Sequence, residues 1–197
     1  MIPMEQDTLY RTFIGSLGFN IVKFMGDRDD FSTFVYKVKE KKETRTIKLA
    51  AQGNDVTVTS WEVKHIQNEN SILEKTRGIP HLVQKHSYHT GQHDGYTISA
   101  LVRGYIHGRL LRDFPKVGRK LGSEQQIVLE NTVRILHQEG IALLDLHGRN
   151  IVVDRTGAPY LIDVGTGLCR NRISSNYFNT RVRRDLKDLE ALFERYS

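Results

Sequence analysis

The chain has 197 residues, a formal net charge of +6 and a single cysteine, Cys169. A chain of this length can bury a core without disulfides or a structural metal. One cysteine excludes an internal disulfide framework and fits a reducing, cytoplasmic compartment. No apolar run approaches the roughly 20 residues of a membrane span, and Met1 to Asp7 carry neither the basic nor the apolar region of a secretion signal.

No repeat, low-complexity stretch or proline-rich linker interrupts the chain. The first half is expected to be mostly strands: Ile21 to Met25 and Phe34 to Lys39 flank a polar turn, and Thr44 to Leu49 alternates as a third strand. Ile66, Ile72 and Leu73 fall near helical spacing, which predicts a helix from Val63 to Lys75 that stops at Gly78-Ile-Pro80. Tyr96 to Val102 reads as a further strand after an exposed polar His/Gly turn.

Ser123-Glu-Gln-Gln126 has the form of a capping box, with Ser123 capping and Gln126 reaching back. The helix it opens carries Val128, Leu129, Val133, Ile135 and Leu136 and ends before Gly140. Ile151 to Val153 and Tyr160 to Val164 form a hairpin through the turn Asp154-Arg-Thr-Gly157, and a last helix runs from Arg184 to Arg195. Strands followed by helices and a hairpin indicate an α+β protein in two lobes.

Three smaller features carry alternative readings. His86, His89 and His93 have a spacing that could hold a transition metal, against the commoner reading of an exposed turn. Cys169 is a modifiable thiol or a packed residue. Arg170, Arg172, Arg181, Arg183, Arg184 and Lys187 form either an anion-attracting patch or a solvated face.

The stretch from Ile135 to Gly165 is the most informative. Asp145 precedes Asn150 by five residues and Asp163 by eighteen, and Asp163 ends an apolar run and stands two before Gly165. A carboxylate and a side-chain amide are hard oxygen ligands suited to Mg²⁺. A separate carboxylate can take or orient the proton of an attacking hydroxyl. With Asp145 and Asn150 before the hairpin and Asp163 at its far end, the three can converge.

These residues resemble the catalytic loop H-R-D-x-x-x-x-N and the metal-binding loop D-F-G of the protein-kinase superfamily. Asp145-Leu-His-Gly-Arg-Asn150 is similar to the loop of its atypical members: RIO kinases, lipopolysaccharide Kdo kinases and aminoglycoside phosphotransferases. The resemblance implies a kinase-like two-lobed fold, with a strand-rich N-lobe over residues 1–103, a hinge at 104–108 and a truncated helical C-lobe over 109–197. It implies ATP with Mg²⁺ or Mn²⁺, Asp145 as the base, and Asn150 and Asp163 as metal ligands. Thr46-Ile-Lys48 resembles the strand whose lysine binds the α- and β-phosphates. Glu69 becomes the helix glutamate that holds Lys48, with Glu62 as runner-up. Gly26 belongs to the nucleotide loop, and backbone groups of Gly104 to Ile106 would pair with adenine.

Three departures qualify the resemblance. Leu143 and Leu144 replace the histidine and arginine before the aspartate, so control by activation-loop phosphorylation is not expected. Asp27, Asp29 and Asp30 crowd the nucleotide loop, where they oppose phosphates. About thirty residues follow Gly165, too few for the usual C-terminal helices. The implied activity is phosphoryl transfer to a hydroxyl, on protein serine or threonine, with a small-molecule or lipopolysaccharide kinase and a pseudokinase binding module as alternatives. The acceptor is expected to be anionic, or delivered by an acidic protein or RNA.

Overall fold

The computed structural model describes residues 4–25, 34–53 and 60–197. It is a mixed α+β structure that divides into two compact units, Met1–Asn70 with Lys85–Tyr105, and Ser71–Gln84 with Ile106–Ser197.

Unit 1 is built on a five-stranded antiparallel sheet in the order β1-β2-β3-β5-β4. Its strands are β1 (Asn20–Phe24), β2 (Phe34–Glu40), β3 (Glu43–Gly53), β4 (Lys85–His93) and β5 (Tyr96–Gly104). Side chains alternate across a pleated strand, so Ile47 and Leu49 of β3 share a face with Phe34, Tyr36, Val38, Ile98, Ala100 and Val102 of its neighbours. Helix α1 (Met4–Ser16) covers that face with Leu9, Tyr10, Phe13 and Ile14. The Tyr36 hydroxyl and the Arg11 guanidinium both donate to Asp7 of α1. Burial raises the Asp7 carboxyl, but these two donors outweigh it and hold the group below its ordinary value. The opposite parity of β3 carries Thr46, Lys48 and Ala50, and these too are buried.

Helix α2 (Trp61–Lys75) starts at Ser60, whose hydroxyl accepts from the Val63 N–H. The expected polar turn over His86–His93 is instead strand β4. It is an edge strand, where polar residues are tolerated on both faces, so no alternation marks it. Asp94 and Gly95 turn it into β5 with φ of 46° and 76°, the left-handed pair of a tight two-residue hairpin. His86 lies against Glu40, His89 against Ser87 and His93 against Asp94. No group of three close ligands among the described residues includes any of the three histidines.

Unit 2 holds a three-stranded sheet, β6 (Gly108–Leu110), β8 (Ile151–Asp154) and β9 (Pro159–Leu161), in the order β6-β8-β9. A short pair joins β7 (Ile141–Ala142) to β10 (Leu168–Cys169). Helices α3 (Ser123–Gln138) and α4 (Ser175–Tyr196) complete the unit, packing their buried Leu129, Val133 and Leu136, and Phe178, Leu189 and Leu192. The capping differs from expectation. Gly122 precedes the helix, and Gln125, not Gln126, accepts from its N–H at 2.9 Å. Helix α4 begins nine residues before Arg184, capped by Ser174, so Arg181, Arg183 and Arg184 lie within it. No helix among the described residues is long and apolar enough to cross a membrane.

Candidate active site

In unit 1 the geometry begins with a helical stripe. Val63, Ile66 and Glu69 of α2 recur every three residues and are all buried, so a glutamate occupies a place that spacing assigns to an apolar side chain. A buried carboxylate must be paired. Glu69 Oε2 accepts from the Lys48 ammonium at 2.9 Å, with the two side chains 0% and 4% exposed. Its other oxygen, Oε1, accepts from the Arg103 guanidinium on β5. Glu62, the runner-up partner, lies in the first turn of α2. Gly104 ends β5 opposite Arg45, and Ile106, two residues on, opens the second segment of unit 2. Gly26, with Asp27, Asp29 and Asp30, lies outside the described residues.

In unit 2 the candidate base sits on a loop between β7 and β8. Leu143 and Asp145 have φ of 65° and 48°, a left-handed conformation that side chains disfavour and that persists only where the surroundings impose it. The restraint is visible. Asp185 of α4, 1% exposed, accepts from the backbone N–H groups of Leu143 at 2.8 Å and Leu144 at 3.0 Å. His137 of α3 lies 2.9 Å from the same carboxylate. The Thr166 hydroxyl donates to the Leu143 carbonyl. Leu144 and Leu146, buried on either side, leave the Asp145 side chain between them 52% exposed.

Asn150 returns to this loop. Its Nδ2 donates to the Asp145 carbonyl at 3.1 Å and approaches the carboxylate at 3.4 Å. With Nδ2 turned to Asp145, Oδ1 is left as the oxygen donor of the amide. The Ile162 N–H donates to the Asn150 carbonyl, which ties the loop to the segment carrying Asp163. Asp163 turns back through its own carboxylate, which accepts from the Gly165 N–H at 3.0 Å. Gly148 is required by close approach: a Cβ there would meet the Tyr196 hydroxyl at 2.5 Å and the Arg112 backbone nitrogen at 2.9 Å.

His147 adds a charge partner 3.2 Å from Asp145. Its hydrogen bond holds the Asp145 carboxyl below the ordinary carboxylate value, against burial and the nearby charge of Asp163. The same bond raises the His147 imidazole. Asp145 is therefore ionised at neutral pH, the form a proton acceptor needs. Asn150 Oδ1 and the Asp163 carboxylate are hard oxygen donors that fit Mg²⁺ or Mn²⁺.

Lys48 and Glu69 are thus brought together in unit 1, and Asp145, His147 and Asn150 in unit 2, with Asp163 on the segment bonded to Asn150. Cys169 is a free, half-buried thiol on β10. Arg103, His137 and Asp185 carry no expectation from the sequence. Asp185 has a legible signal, since Phe178, Asp185, Leu189, Leu192 and Tyr196 form one buried stripe of α4. Arg103 has a weaker one, an arginine closing the apolar run Ile98 to Val102. Comparison with protein-family models finds no match, and comparison with curated proteins finds no similar sequence.

Proposed function

We propose that the chain is an ATP-dependent phosphotransferase with a kinase-like two-lobed fold, acting on a hydroxyl with protein serine or threonine as the acceptor class. The observation that carries this reading is the buried Lys48–Glu69 pair, two charged groups 21 residues apart in hydrogen-bond contact inside unit 1. Burying an ion pair seldom stabilises a fold beyond what apolar residues of the same size would. Its retention is accounted for if Lys48 serves a ligand, and an oriented ammonium suits a phosphate.

Unit 2 supports the reading separately. In this scheme Asp145 accepts the proton of the attacking hydroxyl, and His147 and Asn150 keep its carboxylate ionised and oriented. Asn150 and Asp163 would hold Mg²⁺ or Mn²⁺, which when bound supplies charge neutralisation on the phosphates. Lys48 contributes to phosphate binding and Gly104 to Ile106 to adenine. Asp185 fixes the backbone before the base, so the loop is ordered in advance of substrate. An anionic acceptor or an acidic protein or RNA partner would meet the exposed Arg183, Arg184 and Lys187 of α4.

Thermal denaturation with and without millimolar ATP and Mg²⁺ or Mn²⁺ tests the reading, because a ligand that binds only the folded state raises Tm. Native protein should gain Tm with both components together, and Asp163→Asn should lose most of that gain. An unchanged Tm in the native protein contradicts the proposal.

A further inference from the structure

Glu69 is completely buried and takes a cation on each oxygen, Lys48 from β3 and Arg103 from β5. We propose that Arg103 is a positioning residue that acts through Glu69, fixing its carboxylate so that Lys48 is held ready for an anionic phosphate. This rests on the phosphotransferase reading and extends it to a residue outside the Lys48–Glu69 pair.

Register carries the first part. Thr46 pairs with Arg103 and Lys48 with Leu101, so the two cations are diagonal neighbours on one face of adjacent strands. Both therefore reach the same carboxylate without leaving the sheet. Chemistry carries the second. A carboxylate bound to lysine alone can turn about its last bond and offer either oxygen. A guanidinium on the other oxygen removes that freedom, because its planar fork presents donors in fixed directions while an ammonium does not. The charge of Glu69 is also shared between two cations, so Lys48 keeps more of its own for a phosphate. Finally, Glu69 stands in the buried stripe of α2, and both strands bind it. The Lys48–Glu69 pair is then braced from both strands of the sheet.

Two readouts test this on native protein, Arg103→Met, Arg103→Lys, Glu69→Gln and the double variants. One is hydrogen exchange of the α2 amides without ligand, and the other is calorimetric binding of Mg·ATP. Losing one charge-assisted hydrogen bond should weaken Mg·ATP binding about tenfold in Arg103→Met. The α2 amides around Glu69 should exchange faster, and Arg103→Lys should restore part of both. In the Glu69→Gln background, Arg103→Met should add little, since both act through one carboxylate. Native-like affinity in Arg103→Met overturns the proposal, as does an equal loss with and without Glu69. If Arg103→Met does not fold, Arg103→Lys decides: it keeps the charge without the fork, and unchanged affinity and exchange overturn the proposal. Native protein that binds no Mg·ATP overturns the phosphotransferase reading instead, and unchanged α2 exchange in Arg103→Met then overturns the clamp as well.

Discussion

In unit 1 the charged side chains of the candidate site are inside. Lys48, Glu69 and Arg103 are each at most 5% exposed, and both cations, from two strands, bond the Glu69 carboxylate of a helix. In unit 2 the candidate base, Asp145, is half exposed, and the buried carboxyl is Asp185 behind it, bonded to backbone N–H groups rather than to a lysine. On the proposed phosphotransferase reading, the difference shows how each task would be met. Holding a phosphate needs a fixed cation, and burial fixes it. Accepting a proton from a substrate needs an accessible carboxylate, so rigidity there comes from the backbone, held left-handed from behind.

The largest expected effect tests the buried side. Glu69→Leu leaves Lys48 and Arg103 without their shared carboxylate, and removing one partner of a buried ion pair costs about 3–5 kcal/mol. Urea denaturation should show a loss of that size. A loss under about 1 kcal/mol, the range of an exposed pair, would erase the contrast between the two units.

Next comes Asp185→Ala, which strips the acceptor from Leu143 and Leu144. A buried and a half-buried N–H left unpaired should together cost about 2–3 kcal/mol in denaturant unfolding. The functional consequence is sharper: the loop loses its restraint, so phosphoryl transfer should fall further than Mg·ATP affinity. Equal losses in both would show that Asp185 supports the fold alone. Gly148→Ala tests the same loop from its other side, where Tyr196 leaves no room for a Cβ. Overpacking should cost about 1–3 kcal/mol, measured as a fall in Tm.

The smallest effect concerns the exposed pair Asp145–His147. His147 is raised in the folded state, so its share of stability is present below its unfolded value, near 6.5, and fades as pH climbs through the higher folded value. Asp145 is lowered, so its share is present above about 3.8, its unfolded value, and fades as pH falls through the lower folded one. The pair therefore contributes most between about pH 4 and 6.5. Solvent screening limits it to about 0.5 kcal/mol. His147→Asn should flatten the small fall in stability as pH climbs from about 5 to 8, and a loss independent of pH would assign His147 to packing.

These contrasts explain what is legible in the sequence. Helix α3, the strands β2, β3, β5 and β8 and the Asp154 turn announce themselves through local periodicity and turn chemistry. Asp145, Asn150 and Asp163 stand out because their spacing is local to one loop and hairpin. Helix α1 is absent from the expectations, although Leu9, Tyr10, Phe13 and Ile14 carry a helical stripe and Gly18 closes it at φ 83°. Strand β4 is hidden by its polar edge composition, with only Asp94-Gly95 to mark it. The early start of α4 is masked by Ser174 to Thr180, polar residues of modest helix propensity that are anchored by the buried Phe178. Arg103 and Asp185 matter through partners 34 and 41 or more residues away, and no local pattern contains such pairings.

The most direct test of the account is transfer of labelled γ-phosphate from ATP, with Mg²⁺ or Mn²⁺, to a generic protein acceptor by native protein and Asp145→Asn. The asparagine keeps the shape but cannot take the hydroxyl proton, so transfer should fall by at least about 100-fold while ATP and metal still raise Tm. Transfer at the native rate by Asp145→Asn, or a native protein that neither transfers phosphate nor binds Mg·ATP, would contradict it.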